Sequence, residues 1–333
     1  MSATRFEPSE ATLTGFNADI YFARTRQVLS AEQIDPTVVV EVFARAPAVL
    51  CGMREVHSLL RRVLPKGAEI WSQEEGARMG EREVVLRIRA PYASFCLYET
   101  AILGTLASET GWATAAQCCV AAAGGVPVIH FGARHVHPDV SGRLEYAACV
   151  GGCDRCATPL GAELAGVDPS GTLPHGLILA MGDTLRAAEA FDRCIDETVS
   201  RVVLVDTFMD EADESVRVAE AMGERLWGVR LDTAAELGGV TVDLVNKVRH
   251  RLDETGHTAV RIVVSGGVDV DRIQHFRREG AAVDAFGVGS AISGAPPVDF
   301  TADIKEVDGR AVAKRGRAAG LTEDHRMSAV DLT

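Results

Sequence analysis

"IVVSGGVDVDRIQHFRREGAAVDAFGVGSAIS", residues 262–293, carries two glycine clusters, and each closes a short apolar run. Ile262-Val263-Val264 is β-branched, as a buried strand would be, and Ser265-Gly266-Gly267 ends it. Asp269 is placed to cap a helix whose apolar positions are Val270, Ile273 and Phe276, and Gly280 stops that helix. Ala285-Phe286-Gly287-Val288 reads as the next strand, ended by Gly289-Ser290. The result is a βαβ unit with both glycine turns at the carboxyl ends of its strands. In a barrel that is the face where sites are built. Glycine lets backbone N–H groups approach a ligand closely, and a following helix start favours an anion. Two ordinary tight turns would look similar. Paired turns on the last two strands favour a phosphate cradle of Ser265, Gly266, Gly267, Gly287, Gly289 and Ser290.

Working back from there, strand, loop and helix alternate. Strands are expected near 126–133, 153–160, 173–179, 201–208, 226–232, 261–267 and 284–290. Helices are expected at 139–150, 183–196, 214–224, 241–254 and 270–279. Alternation with short buried strands argues a parallel sheet. Six or seven such units argue that it closes into an irregular, TIM-like α/β barrel, assigned to residues 111–297. Before it, residues 1–110 mix strands ("TVVVEVFAR", 37–45; 68–75; 82–95) with a helix in 48–64 that keeps Leu50, Met53, Val56, Leu60 and Val63 on one face. They read as an N-terminal α+β domain. The stretch 298–317 returns to alternating strands around "VDGR", so the tail 298–333 is expected to complete that first domain. The fold class is α/β.

The chain has 333 residues, 47% of them hydrophobic, with a formal net charge of −13. That supports a full core and argues against nucleic-acid partners. No apolar run reaches membrane-span length, and the stretch 1–16 has no apolar signal core. A cytoplasmic location is the expectation. Eight cysteines include Cys153 and Cys156 as CxxC, with Cys149 just before. The spacing supplies no fourth ligand for zinc, so reduced structural thiols are the reading preferred to a metal site.

The residues at the expected strand ends share a theme. Arg134, His135 and His137 follow the first strand, His175 lies in "GTLPHGL", Asp206 ends "VLVD", and Arg230 and Asp232 end "VRLD". Arginines and glycine turns hold phosphates; two aspartates can hold Mg²⁺ or ribose hydroxyls. Each has a plainer alternative: an ion pair for Arg134, helix caps for the aspartates, structural roles for the histidines. Together they suit a phosphorylated sugar with Mg²⁺ and a diphosphate leaving group.

The stretches "ADIYFARTRQVL", "APYASFCLYETAILG", "HFGARHVHPDV", "GGCDRCATPLGAELAG", "GTLPHGL", "VRLDT", "VSGGVD", "FGVGSAIS" and "DFTADIKEVDGRAVAKRGR" run in order from about residue 18 to 317. Together the chain resembles nicotinate phosphoribosyltransferase in its compact form, within the type II phosphoribosyltransferases. The resemblance implies transfer of the phosphoribosyl group of 5-phosphoribosyl-1-diphosphate to nicotinate, giving nicotinate mononucleotide and diphosphate for NAD biosynthesis. It implies a head-to-tail homodimer with shared active sites. It implies catalytic roles for His175, Asp206 and Asp232, with Mg²⁺ at Asp206 and Asp232. Arg230 would face the phosphate side. Phe131 and a neighbouring subunit's Tyr21 would sandwich the pyridine, Arg134 would bind its substituent, and Lys314 and Arg315 would add charge to a phosphate. His175 matches a histidine that many members phosphorylate with ATP, which makes ATP a co-substrate of the coupled form.

Departures from the pattern bear on the base. Ala157 stands where nicotinamide-using relatives carry an aspartate, which permits an acid. Arg155 replaces a small residue and offers a second cation or points to solvent. The stretch 118–125 lacks expected basic residues. Quinolinate phosphoribosyltransferase is the near alternative, but its two carboxylates call for a more basic pocket. A phosphate-binding barrel isomerase or aldolase would need a Lys or Glu at a mid-barrel strand end, and residues 67–246 hold no lysine. A non-catalytic nucleotide-binding relative is the remaining alternative.

Overall fold

The computed structural model describes residues 6–332. The first five residues of the stretch read as lacking a signal core lie outside them. The chain divides into two compact units, residues 1–114 with 295–333 and residues 115–294.

The first unit holds the short helix Glu10–Leu13, the helix Ile20–Ala31 and strands β1 (Thr37–Ala44), β2 (Ala48–Val49), β3 (Glu69–Ser72), β4 (Arg78–Met79) and β5 (Val84–Pro91). β1 pairs antiparallel with β5 and buries Val38, Val39, Val40 and Val42. The helix Met53–Val63 buries Met53, Val56, Leu59 and Leu60. Each fully buried side chain of this kind stabilises by about 1.5–3 kcal/mol. Leu59 joins this face, and Val63 packs against it partly buried.

The second unit holds strands β6 (Val128–His130), β7 (Arg201–Leu204), β8 (Leu226–Leu231), β9 (Arg261–Val264) and β10 (Ala285–Val288), all parallel, in the order β6-β10-β9-β8-β7. That order is circular: successive strands are neighbours, and the last pairs with the first. A sheet wound this way is a barrel, and its one irregular side lies between β6 and β7. There Arg155 bridges Ile129 in parallel, and Leu173 N–H donates to Val202 O at 3.2 Å. The segment 173–179, expected as a strand, is instead a helix, His175–Met181, with Pro174 before it and Gly182 (φ 76°) after it. A seven-residue apolar run fits either period, and proline before the first turn favours the helix. Among the described residues no helix is long and apolar enough to cross a membrane.

The tail returns as β11 (Phe300–Val307), β12 (Arg310–Ala311) and β13 (Ser328–Ala329). β11 pairs antiparallel with β1 from Val38↔Val307 to Ala44↔Phe300, so the six-stranded sheet runs β12-β11-β1-β5-β3-β13. Asp308 and Gly309, both at positive φ, form the two-residue "DG" hairpin turn. The fold is therefore an α/β barrel with an α+β unit that the C-terminal tail completes.

Candidate active site

The barrel strands deliver their next residues to one end. Phe131 follows β6, Asp206 lies two beyond β7, Asp232 follows β8, Ser265 follows β9 and Gly289 follows β10. His175, the first residue of its short helix, meets this set. Its Nε2 lies 3.0 Å from each carboxylate oxygen of Asp206, whose side chain is only 4% exposed. Burial raises the Asp206 carboxyl above the usual aspartate value; His175 pulls it back, and the nearby negative charge of Asp232 pushes it up again.

Arg230 is held by three directed bonds. Nε donates to Ser265 Oγ at 2.9 Å, Nη1 to Thr172 Oγ1 at 2.7 Å and Nη2 to Asp232 Oδ2 at 2.6 Å. Its guanidinium lies 5.1 Å from the Phe131 ring centroid. The Ser265 hydroxyl also donates to Leu231 O, so it is engaged in seating the arginine.

The glycines are explained by what surrounds them. A Cβ on Gly287 would sit 2.4 Å from Phe131 Cε2, so the ring lies directly over that strand position. Gly266 and Gly267 both have positive φ, and a Cβ on Gly266 would meet Asp232 Oδ1 at 2.7 Å. Arg272, not singled out from sequence, braces this turn by donating to Gly266 O at 2.7 Å and to Val240 O at 2.6 Å. Ser290 is exposed at the start of the short helix Ser290–Ser293.

Other residues fall differently. Arg134 is exposed on the loop after Phe131, with no protein partner among the described residues. Arg155 pairs at the surface with Asp168 at 3.3 Å. His135 bonds Ser293 Oγ at 2.9 Å, and His137 caps the helix Pro138–Val150. Tyr21, 56% exposed on Ile20–Ala31, and the exposed Lys314 and Arg315 belong to the first unit. All eight cysteines are free thiols. Among the described residues, the group of three such donors lying within 4.8 Å of one another is Cys51, Glu75 and Glu109, not Cys149, Cys153 and Cys156. Glu75 there accepts from the Gly52 and Arg54 N–H groups, as a helix cap does.

Thr172 and Arg272 carried no sequence signal: each acts through a partner distant in the chain. Asp206 and Asp232 offer the carboxylate oxygens that Mg²⁺ takes, and the negative charge of Asp232 is felt at Asp206, whose carboxyl it pushes up.

The model of the quinolinate phosphoribosyl transferase N-terminal domain matches residues 19–109, and that of the C-terminal domain matches residues 112–303. A nicotinate phosphoribosyltransferase of Mycobacterium tuberculosis is 34% identical over 240 residues, 69% of this chain and 52% of that protein. One of Bacillus subtilis is 29% identical over 225 residues, 67% of this chain and 45% of that protein. The chain thus spans about half the length of the curated relatives it matches. The crystal structure of a nicotinate-nucleotide pyrophosphorylase from Pyrococcus furiosus superposes with a TM-score of 0.88 at 39% identity, covering 99% of this chain and 86% of that one. With both units matched by its domain models, the chain belongs to the quinolinate phosphoribosyl transferase family.

Proposed function

We propose that the protein transfers the 5-phosphoribosyl group of 5-phosphoribosyl-1-diphosphate to nicotinate. The pyridine nitrogen forms a bond to C1′ of the sugar while the bond from C1′ to diphosphate breaks, giving nicotinate mononucleotide and diphosphate. The base is itself the nucleophile, so the protein's part is positioning and electrostatics. The observation that carries this reading is the junction of Phe131, Gly287, Arg230, Asp232 and Ser265 at the carboxyl ends of β6, β8, β9 and β10. An aromatic platform for a planar base adjoins carboxylates for ribose hydroxyls and glycine turns for a 5′-phosphate.

Asp206 and Asp232 would hold the ribose hydroxyls and Mg²⁺, which would neutralise the departing diphosphate. Arg230 directs its charge at the phosphate side. Gly266, Gly267, Gly289 and Ser290 cradle the 5′-phosphate, while Gly287 makes room for the Phe131 ring. The pyridine stacks on Phe131, against Tyr21 from a second copy of the chain in a homodimer, which also lends Lys314 and Arg315. Arg134, which has no protein partner among the described residues, meets the base's carboxylate. His175, partly exposed beside Asp206, is the group ATP would phosphorylate in a coupled form.

Nicotinate fits better than a dicarboxylate because Arg155 is paired with Asp168 and no lysine lies in residues 67–246. The identity to the Pyrococcus furiosus protein, named as a nicotinate-nucleotide pyrophosphorylase, favours quinolinate as the second reading. Both share one product. The test is to incubate the protein with the sugar diphosphate, Mg²⁺ and nicotinate, nicotinamide or quinolinate, each with and without ATP, and to follow mononucleotide by chromatography. Turnover with quinolinate and not nicotinate would overturn the choice of base. ATP dependence is refuted if turnover and nicotinate affinity are unchanged by ATP.

A further inference from the structure

The irregular side of the barrel is built on a buried glutamate. Ile129 and Arg155 face each other across a parallel bridge, with His130 N–H donating to Arg155 O at 2.9 Å and Asp154 N–H to Val128 O at 2.8 Å. Two residues on from that bridge, Ala157 lies level with Phe131. Side chains alternate along such segments, so Phe131 and Ala157 share one face and His130 and Cys156 the other. The burial agrees: His130 and Cys156 are fully buried, whereas Ala157 is exposed.

The pairing of Ile129 with Arg155 stops at this level. Phe131 N–H continues the β6–β10 ladder, donating to Val288 O at 2.7 Å, and beyond the isolated Ile129–Arg155 bridge the N–H groups of Ala157 and Thr158 donate to a side chain rather than to a strand. A buried N–H without an acceptor is costly. Glu145, fully buried on the helix Pro138–Val150, supplies the acceptors. Its Oε1 accepts from Ala157 N–H at 2.7 Å, and its Oε2 accepts from Thr158 N–H at 2.8 Å and from the Thr158 hydroxyl. His130 Nδ1 lies 3.6 Å from Oε1. The His130 ring in turn lies under the loop bearing Phe131 and Arg134: a Cβ on Gly132 would be 2.5 Å from its Nε2. Glu145 therefore holds the segment 157–158 by hydrogen bonds, while the buried His130 ring beside it packs beneath the Phe131 loop.

We infer that Glu145 is a positioning residue that sets which pyridine the site accepts, by fixing Ala157 beside Phe131. This rests on the phosphoribosyl-transfer reading above. Glu145 touches no substrate; it acts through the backbone of residues 157 and 158. The small, exposed Ala157 presents neither charge nor hydrogen-bonding side chain to a base on Phe131. A segment free to shift would let the backbone polar groups of that wall meet the ring substituent instead.

Glu145→Gln keeps the volume but turns an NH₂ toward one of the two N–H donors. Amide hydrogen exchange at Ala157 and Thr158 should then accelerate roughly tenfold or more. The KM for nicotinate should rise roughly tenfold while the KM for the sugar diphosphate stays within about twofold. The nicotinate-to-nicotinamide ratio of kcat/KM should fall. Faster exchange with unchanged pyridine KM and ratio would overturn the role, as would equal rises in both KM values. If Glu145→Gln does not fold, Thr158→Val, which removes only the hydroxyl's bonds, must raise the pyridine KM selectively; no selective rise overturns the inference. Absence of mononucleotide from the unaltered protein with every pyridine would instead remove the transfer reading, and the specificity role with it.

Discussion

His175 Nε2 lies 3.0 Å from both carboxylate oxygens of Asp206, a carboxylate that burial holds above its usual pKa. Ionising Asp206 therefore costs more in the folded chain than in the unfolded one. Stability is present below the unfolded value and is lost as pH rises through the raised one. Asp206→Asn should accordingly melt higher than the parent at neutral pH. It should also lose roughly 10²-fold or more in kcat/KM, because the ionised group is the one that serves ribose or metal. Differential scanning calorimetry beside a product assay checks both. An Asn variant less stable than the parent would contradict the electrostatic account.

The neighbours of Asp206 act in opposite senses, which gives a signed test. His175 lowers its pKa and Asp232 raises it. A ¹³C carboxyl titration should show the Asp206 value moving up in His175→Ala and down in Asp232→Asn. Movement of both variants in one direction would mean that desolvation alone governs the site.

Arg230 makes three bonds that diverge in the plane of a guanidinium, to Ser265, Thr172 and Asp232. A lysine ammonium keeps the charge but cannot span them. Arg230→Lys should lower kcat/KM by roughly 10²-fold, with the larger change in the KM for the sugar diphosphate. Near-parental kinetics would show that charge alone suffices.

Gly287 lies under the Phe131 ring, 2.4 Å from where a Cβ would stand. Overpacking of this kind costs about 1–3 kcal/mol. Gly287→Ala should displace the ring and raise the pyridine KM. Adding Phe131→Leu should recover part of the lost stability but none of the pyridine affinity. Denaturant melts and initial rates on the two variants and their combination decide it.

Much of this barrel was legible because a short β-branched run followed by Ser-Gly-Gly has few other uses. The residues one or two places after each run, Asp206, Asp232 and Ser265, followed from that frame. The helix His175–Met181 was read as a strand because "LPHGLIL" satisfies a strand pattern as well as two turns of helix, although Pro174 just before the first turn favours the helix. Glu145 was invisible for another reason. In "RLEYAAC" it looks like a solvated helix position, whereas its partners are N–H groups 12 and 13 residues further along. Nothing in local spacing marks a carboxylate that completes a strand ladder.

Glu99 links pH to the helix that carries Tyr21. Asp19 stands just before that helix, its N–H accepted by Thr100 Oγ1 at 3.0 Å and its Oδ2 accepting from the same hydroxyl at 2.8 Å. Next to Thr100, the half-buried Glu99 carboxyl is pushed up to about 7 by burial and then by the charge of Asp19. The sign follows from a raised acid: the stability present below the unfolded pKa of 4.5 is lost as pH climbs to about 7, and stays lost above it. Glu99→Gln mimics the neutral form. It should match the parent in urea unfolding at pH 5 and exceed it by about 1–3 kcal/mol at pH 8. If Tyr21 serves the pyridine site, the parent's pyridine KM should also rise between those pH values more steeply than the variant's. Equal stability of the two proteins at pH 8 would show that Glu99 is ionised without penalty and that the helix start does not sense pH.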